Sequence, residues 1–562
     1  LPHGAKFSNS CRKIKAKICL EAQKKVLSLV LCVAMMLSVM VVGAGAAFSD
    51  QSKIKNTEAV DACTALNIIG GSPDGSFKPE GNITRAEVTK MICVALNGGK
   101  NPAVRTNSTP TFSDVRNNAN AAWAEGYIES CAAQGIVSGV GGGKFAPNGN
   151  VTGVQLAKML LVSLGYKSEN EGFTGNAWAT NVNVRAAQKG LYDGLEKMDT
   201  NAAITRDNAA QMVWNALQAY EVEYKTNLVA GADGKLSTQV TVQDKVVGSN
   251  NDKITLLRDK YDAWTNVGTL VGVSSNEITL TMSDPDQTAS DLVNYIGSGA
   301  DRHPDPTIKF SKLTTDYSAL MGQKVKVIFK NGKVNDVIGV YATSDNTVYE
   351  TVMSAVDLDG SKVKFNDTSY SVDNSIKVYV DGTRIANASG DKNKTDFDAS
   401  DFDDIASLLN GSRVVYGTDN VFTSKIVKGS LVNAVSGATV KFIDSDDNSK
   451  IDTAIITLKK VAKVTYVSSS SIIADGTTYK YADENIAKDL KKDDWVVISE
   501  NKYNDNKDIA KVKKTQVTIN GTKSKRNYDQ YRVDGTWTNA NPSNKDVDVK
   551  AGNKADVVVY NG

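Results

Sequence analysis

Apolar residues recur at helical spacing in three segments of the N-terminal part of the chain. A threonine precedes each segment: Thr84, Thr152 and Thr205. Glu87 and Gln155 follow the first two at the third position, and this capping-box pattern predicts that the helices begin at the threonines. The apolar positions of the three predicted helices are Val88, Met91, Ile92 and Ala95; Leu156, Met159 and Leu160; and Ala209, Met212, Val213 and Ala216.

An earlier helix and a loop precede each of these helices, so the chain repeats a helix–loop–helix unit. Asn67, Gly135 and Gly190 share one aligned position, where a helix end needs a left-handed residue. The first two loops share a Phe-x-Pro motif, whereas the third loop is shorter and lacks it. One unit is too small to bury its apolar face alone, so we expect the three to share one core.

An aromatic residue leads each unit, and two tryptophans follow the second and third. The motifs are Phe48-Ser49-Asp50, Phe112-Ser113-Asp114, Phe173-Thr174-Gly175, Trp123 and Trp178. Combined with Gly-x-x-Asp-Gly-x-Phe-x-Pro and Thr-Arg-Ala-Glu in the first unit, this order of motifs resembles the surface-layer homology (SLH) domain. The resemblance implies a helical, three-pronged pseudo-trimer, with SLH repeats over residues 48–105, 106–168 and 169–220.

The resemblance also implies a role. Such triplets hold exported proteins on a Gram-positive-type cell wall by binding secondary cell-wall polysaccharide, which often carries pyruvate ketals. A ketal carboxylate would meet free amides at a helix start and a charge-assisted contact from an arginine beside them. The residues expected to contact the polysaccharide are Asp50, Arg85, Asp114, Trp123, Trp178 and Arg206.

Several of these residues also have a structural interpretation. Asp114 suits a helix cap, and Trp123 suits a core as well as a sugar-stacking platform. Arg85 and Arg206 have the weakest structural reason to be present. Gly153 stands where the second copy should carry its arginine, so we expect the grooves at Arg85 and Arg206 to bind better than the one at Gly153.

Beyond Tyr220 the pattern changes to strands rich in Val, Ile, Thr and Tyr, separated by hairpin turns such as Asn331-Gly332. The fold class is therefore predicted as multidomain, α plus all-β, with several small β-barrel or β-sandwich modules after the helical triplet. Such modules behind an SLH triplet resemble the assembly region of surface-layer proteins and imply self-association in a lattice. The expected divisions are a linker or start of the β-region over 221–262 and β-modules over 263–345, 346–430 and 431–562.

Residues 444–452 approximate a Ca²⁺-binding loop. Oxygen-bearing side chains at alternate positions can converge on a hard cation, and a structural Ca²⁺ suits an exported protein. Ser449 replaces the usual glycine and Ile455 the usual glutamate, so a plain acidic turn is the alternative. The expected ligands are Asp444, Asp446, Asn448 and Asp452.

The first 47 residues read as an extension plus a secretory signal peptide. Residues 1–25 hold seven Lys and Arg against Glu21 alone, and an uncharged run over 26–42 and a small-residue site near Ala46 follow. A retained membrane anchor is the alternative. The region before Lys24 is long for a signal peptide, so either end of the sequence is open to being incomplete.

The rest of the chain carries 58 Lys and Arg against 62 Asp and Glu, so its charge gives no case for nucleic-acid binding. Three cysteines remain after the leader, Cys63, Cys93 and Cys131, and an odd number argues against a disulfide framework. Their apolar contexts favour small buried hydrophobic residues.

The sequence offers little support for catalysis. His303 is the single histidine after the leader, so a catalytic triad is not expected, although paired carboxylates stay open. We therefore expect a non-catalytic surface protein. The alternatives are an SLH-anchored glycoside hydrolase or other enzyme whose catalytic domain lies outside this sequence, and an SLH-anchored adhesin.

Overall fold

The computed structural model describes most of the chain from residue 48 onward. The predicted signal peptide and part of the predicted 346–430 module lie outside the described residues. The described ranges are 48–102, 109–230, 236–282, 285–286, 288–296, 306–352, 356–359, 362–385, 438–501, 503–524, 529–539 and 549–558.

Helices dominate the first part and begin where the threonine patterns predict. Both capping boxes are confirmed: Glu87 N donates to Thr84 Oγ1 at 3.3 Å while Thr84 N donates to Glu87 Oε2 at 2.9 Å, and Thr152 and Gln155 repeat the pair. Unit 1 holds α1 and α2, unit 2 holds α3 and α4, and unit 3 holds α5 and α6. The helices are α1 Thr57–Ala65, α2 Arg85–Leu96, α3 Glu125–Ala133, α4 Gly153–Ser163, α5 Trp178–Gln188, α6 Arg206–Gln218, α7 Leu256–Tyr261 and α8 Leu292–Ile296.

The three units are joined by a closed ring of backbone hydrogen bonds just before α2, α4 and α6. Ile83 N donates to Ile204 O at 3.1 Å, Ile204 N to Val151 O at 2.8 Å, and Val151 N to Ile83 O at 3.2 Å. All three side chains are buried, and apolar residues of the three units form one continuous core. The expectation of a shared core is therefore confirmed, with pseudo-threefold symmetry about this ring.

The remainder is built from strands in separate sheets. Their bounds are β1 Val222–Ala230, β2 Leu236–Asp244, β3 Val246–Val247, β4 Asp252–Lys253, β5 Ala263–Val273, β6 Glu277–Met282, β7 Thr307–Ser311, β8 Lys324–Lys330, β9 Val337–Ala342, β10 Thr347–Val352, β11 Asp357–Asp359, β12 Lys362–Phe365, β13 Thr368–Val380, β14 Thr383–Ile385, β15 Thr439–Asp444, β16 Lys450–Thr457, β17 Lys460–Val467, β18 Ser471–Ala474, β19 Thr477–Lys480, β20 Asn485–Ile486, β21 Trp495–Asn501, β22 Asn506–Val512, β23 Thr515–Ser524, β24 Asp529–Val533, β25 Thr536–Asn539 and β26 Lys554–Val557.

The sheets are open, and among the described strands none closes into the predicted barrel. Strand order is β7-β6-β5-β8-β9 in the first module and β10-β15-β16-β13-β12-β11 in the second, where β13 and β16 run parallel and β14 is added at β13. The third sheet has the order β19-β18-β17-β21-β22-β20, and β25-β24-β23-β26 is the last. The second sheet crosses the border predicted at 430, because β10 pairs with β15.

Residues 221–262, predicted as a linker or the start of the β-region, join the helical part to the first sheet. Leu256, Leu257 and Tyr261 of α7 belong to the core of the three units, as does Tyr341 of β9. Glu58 of α1 accepts hydrogen bonds from Trp214 Nε1 at 2.8 Å and from Lys326 Nζ of β8. Ala263, Ile328 and Tyr341 of the first β-module therefore pack into the core of the helical units, while the rest of the module has a core of its own.

The cysteines agree with their interpretation as small hydrophobic residues. Cys63, Cys93 and Cys131 are buried, and none forms a disulfide within the described part of the chain. Burial raises the pKa of the Cys63 thiol well above its ordinary value, so this thiol stays protonated. No helix of the described ranges combines the length and apolar character that a membrane crossing requires.

Candidate functional site

A groove of about 530 Å³ lies where the three units meet, and we call it site A. The loop of unit 1 forms one wall and the first turns of α2 form the floor. Unit 2 contributes Trp123 and unit 3 contributes Arg206, so the site exists only in the assembled trimer of units. Its lining residues are Ile68, Ile69, Gly70, Gly71, Ser72, Pro73, Phe77, Ile83, Glu87, Lys90, Met91, Trp123 and Arg206.

Backbone oxygens of the unit 1 loop hold Arg206 in site A. Its own N–H donates to Gly81 O at 2.8 Å, which fixes the start of α6 against the unit 1 loop. Its guanidinium lies 5.1 Å from the centre of the Phe77 ring, donates from Nε to Phe77 O at 2.9 Å and pairs with Glu87 at 3.3 Å. The predicted arginine is therefore in the groove, and it also clamps unit 3 to unit 1.

Lys90 and Trp123 complete the polar side of site A. Lys90 Nζ lies 5.9 Å from the centre of the Trp123 ring, and the tryptophan is 48% exposed. Trp123 Nε1 donates to Asn120 O at 3.0 Å, which fixes the indole orientation. Trp123 thus presents an exposed aromatic face beside Lys90 in a groove that Arg206 also lines. This arrangement suits an anionic sugar, since the ring can stack on the sugar while the cations contact an acidic substituent.

The helix N-terminus does not offer the free amides that the sequence analysis expects. Arg85 N donates to Gly149 O and Ala86 N to Pro147 O, and the same pairing recurs at the start of α6. Carbonyl oxygens of a neighbouring unit's loop accept these hydrogen bonds, because the loop of unit 2 packs on the start of α2 and the loop of unit 1 packs on the start of α6. Anion binding at sites of this kind therefore depends on side chains.

Asp50 and Asp114 hold loops in place, and the charge of Asp114 also acts on Arg85. Asp50 accepts hydrogen bonds from Phe77 N at 2.7 Å and Lys78 N at 2.8 Å, and Asp114 accepts two at 2.8 Å from the equivalent loop of unit 2. Lys78 has a φ of 60°, a left-handed conformation that this carboxylate stabilises. Partial burial acts to raise the pKa of both carboxyls, but the backbone donors outweigh it and lower each pKa.

The arrangement recurs one unit further on, and we call it site B. Arg85 donates from Nε to Phe145 O at 2.8 Å and from Nη2 to Ser138 O at 2.7 Å, and it lies 4.4 Å from the centre of the Phe145 ring. Lys158 Nζ lies 5.7 Å from the centre of the Trp178 ring. Unit 1 thus supplies the arginine of site B as unit 3 supplies that of site A.

The third position of the ring, site C, lacks the same features. Gly153 faces the unit 3 loop, and a Cβ there would lie 3.1 Å from Thr200 Cα. Val154 N donates to Thr200 O at 2.8 Å, so this loop closes directly on α4. Gln211 occupies the place of the lysine and bonds to Asn215 Oδ1 at 2.8 Å.

Sequence reasoning missed the two lysines. Lys90 and Lys158 both stand six positions after the capping threonine, and Gln211 stands there in unit 3. The repeat alignment already contained this signal. Only the structure shows that the position faces a tryptophan from the following unit.

The acidic loop between β15 and β16 brings three of its four predicted ligands together. One carboxylate oxygen from each of Asp444, Asp446 and Asp452 lies within 4.8 Å of the others. Asn448 lies beside these carboxylates: its Nδ2 donates to Asp446 Oδ2 at 3.0 Å and its Oδ1 accepts from Lys450 N at 2.8 Å. Its role as a ligand stays a prediction. Burial, then the neighbouring Asp444, raises the pKa of Asp446, as expected where carboxylates crowd.

Comparison with known proteins agrees with this geometry. The family model of the S-layer homology domain matches residues 47–89 and 111–157. A surface layer protein of Brevibacillus choshinensis is 24% identical over 78% of this chain and 36% of its own length. A cell surface protein of Thermoanaerobacter kivui is 24% identical over 86% of this chain and 61% of its own length.

A third relative aligns over a shorter stretch. The cellulosome-anchoring protein of Acetivibrio thermocellus is 30% identical over 162 residues, 27% of this chain and 35% of its own length. The chain thus spans between about a third and three fifths of the length of these relatives. The family model thus identifies S-layer homology domains over residues 47–89 and 111–157, and the long alignments show that the chain is similar to surface-layer and cell-surface proteins.

Proposed function

We propose that residues 48–220 form a complete SLH triplet that anchors the protein by binding an acidic secondary cell-wall polysaccharide at sites A and B. The observation that carries the proposal is the repeated set of one arginine, one lysine and one tryptophan, drawn from three different units at each site. The β-modules then serve assembly or display, and the protein is non-catalytic.

The chemistry of sites A and B supports an acidic sugar as ligand. Site A is lined by Lys90 beside Trp123 and by Arg206, which pairs with Glu87; in site B Lys158 lies beside Trp178 and Arg85 beside Phe145. A pyruvate ketal presents a carboxylate on a rigid sugar ring, which matches a cation pair beside an aromatic platform. Site C lacks all three side chains, and we propose that it does not bind the polysaccharide.

The test is sedimentation of the whole chain with purified cell wall, with and without its secondary polymer. The fragment 48–220 is unsuited, because its core includes Leu256, Leu257 and Tyr261. We expect binding only where the polymer is present. Equal binding to both preparations would refute polymer recognition.

A matched set of variants assigns the binding to sites. Lys90→Ala and Lys158→Ala each remove a charge-assisted contact, so each should weaken binding about tenfold or more. Gln211→Ala changes the same aligned position in unit 3 and should leave binding unchanged. A loss with Gln211→Ala equal to the others would contradict the assignment.

Separate assays test the two alternative functions, a hydrolase and an adhesin. A hydrolase would release soluble sugars from wall or plant polysaccharides, which a reducing-sugar assay detects. An adhesin would remain monomeric under conditions where a surface-layer protein forms ordered arrays visible by electron microscopy. We expect no sugar release and we expect ordered arrays.

A further inference from the structure

A two-stranded arm leaves the helical part immediately after unit 3. β1 and β2 pair over nine consecutive positions without a bulge, from Val222 opposite Asp244 to Ala230 opposite Leu236. No other described strand joins this sheet, and at its base Val222 N donates to Leu164 O at 2.8 Å. Further out, no described strand pairs with either outer edge of the arm. Nine residues of strand extend about 30 Å, which is the length of a small domain.

The base of the arm is fixed to the helical part. The Tyr224 hydroxyl donates to Glu171 Oε1 at 2.8 Å and accepts from Lys167 N at 3.1 Å. Val242, opposite Tyr224, packs against the shared core. The orientation of the arm is therefore set by the anchor domain.

The two faces of the arm differ in character. Tyr224, Thr226 and Leu228 alternate along β1 on one face, opposite Val242, Val240 and Thr238, and Leu236 continues that face outward. Leu228 is 72% exposed, Leu236 69% and Val240 53%. The opposite face is mostly polar: it carries Glu223, Lys225, Asn227, Ser237, Gln239, Thr241 and Gln243, together with one exposed apolar residue, Val229.

An isolated hairpin with one exposed apolar face is only marginally stable in water. We therefore expect another protein surface to pack against this face of the arm. The apolar face carries no charged residue from Tyr224 to Leu228 or from Leu236 to Val242. Two such faces can therefore meet without burying a charge, whereas the opposite faces would bring Glu223 and Lys225 of each copy into contact.

We propose that the arm is an assembly surface, and that its apolar face packs on the same face of a second copy of this chain. The contact deepens the self-association part of the proposed function and rests on it. The face covers roughly 200–300 Å² per copy, well below the ~800 Å² per partner of a stable interface. It is thus a weak contact that becomes effective when wall-bound copies are held at high local concentration.

The experiment compares two double variants of the full chain, purified from a secreting host. Leu228→Lys with Leu236→Lys places two charges on the apolar face. Asn227→Lys with Gln239→Lys places two charges on the opposite face of the same strands and is the matched control. Self-association is measured by sedimentation equilibrium, array formation by electron microscopy on wall fragments, and folding by thermal unfolding.

The apolar-face variant should associate about tenfold or more weakly than the parent and form no arrays, and the control should match the parent. Equal association in all three proteins, or equal loss in both variants, overturns the proposal. Wall sedimentation of each variant separates this result from anchoring. A loss of wall binding confined to the apolar-face variant, with association unchanged, would assign the arm to the wall and also overturn the proposal.

A second experiment measures disulfide cross-linking between two copies and adds no charge to the arm. Leu236→Cys should cross-link two copies through a disulfide when oxidised glutathione is added, because this residue lies on the apolar face. Ser237→Cys, its neighbour on the opposite face, should cross-link far more slowly. Equal rates for the two variants would contradict a contact through one face.

Discussion

At the scale of single residues, the arginines and aspartates of the repeat act as a linked pair. Asp50 holds the backbone N–H of Phe77, and Arg206 binds the carbonyl of the same residue. The aspartate thus positions the loop on which the arginine rests. Both residue types are predicted ligand contacts; the structure shows a loop contact for the aspartates and places Arg206 in the lining of site A, and their contact with a ligand stays a prediction.

Replacing Asp50 and Asp114 by alanine should destabilise the helical units by about 1 kcal/mol per site, because each substitution leaves two loop amides without their acceptor. Because folding lowers the pKa of both carboxyls, the ionised aspartates stabilise the folded state at pH values above their ordinary pKa of 3.8. This stabilisation is lost as the pH falls through the lower pKa of the folded state. Chemical unfolding between pH 7 and pH 2 measures both effects. A variant that unfolds like the parent at pH 7 would show that water replaces the carboxylates without cost.

At the scale of elements, the helix starts distinguish sites A and B from site C. Thr84, Thr152 and Thr205 cap their helices alike, but the residue that follows is Arg, Gly and Arg. The shorter unit 3 loop runs against α4, and a Cβ at Gly153 would lie 3.1 Å from Thr200 Cα and 3.3 Å from Thr200 O, closer than an ordinary van der Waals contact. Glycine therefore suits the close packing at site C.

Gly153→Ala should consequently cost about 1–3 kcal/mol of stability, because the new methyl group meets backbone atoms of Thr200 that cannot rotate away. Gly126, also in a first helical turn, is the control: a Cβ there meets nothing within 4 Å. Gly126→Ala should stabilise the protein by about 0.5–1 kcal/mol through helix propensity. Equal effects of the two substitutions in urea unfolding would contradict close packing at site C.

The turn between β15 and β16 carries a second element-scale prediction. We propose that Asp444, Asp446 and Asp452 take a Ca²⁺, which would relieve the repulsion that raises the pKa of Asp446. A Ca²⁺ concentration of 100 times the Kd should then stabilise the second module by about 2.7 kcal/mol. Asp446→Asn should abolish this gain, and Asp367→Asn, in an exposed turn of the same module, should not. An unfolding curve unmoved by Ca²⁺ or by chelator would reject the site.

At the scale of the whole molecule, the anchor and the first β-module behave as one body. α1 packs against β9, and Asp61 of α1 is buried at this junction, where Gln51 Nε2 donates to its Oδ1 at 3.4 Å. Burial raises the pKa of Asp61 to about 6, despite the opposing hydrogen bond from Gln51. The charge of Asp61 also acts on Tyr341, which β9 contributes to the same core.

Because this pKa is raised, the contribution of Asp61 to stability is present below pH 3.8 and is lost as the pH rises through about 6. Asp61→Asn should therefore leave stability unchanged near pH 3.5 and raise it by up to about 3 kcal/mol at pH 7. Urea unfolding at the two pH values, followed by fluorescence of Trp214 and Trp264, measures the difference. A variant less stable than the parent at pH 7 would mean that the buried carboxylate is stabilised by contacts beyond Gln51.

The sequence by itself determined the local features of this protein. The capped helix starts, the three-fold repeat, the β-rich second half and the cysteine burial follow from short-range patterns, since caps, turns and periodicity act within a few residues. The border near 430 was wrong, because β10 and β15 are far apart in sequence and only pair in the folded sheet.

The tertiary structure alone decided which side chains meet. Site A joins Lys90, Trp123 and Arg206 from three units, a contact set by the hydrogen-bonded ring and invisible in any one repeat. The same packing pairs the first amides of α2 and α6 with carbonyl oxygens of the neighbouring unit. Asp50 and Asp114 accept hydrogen bonds from amides of the loops. Local preferences fix each unit, but the neighbour that a side chain finds depends on how the units pack.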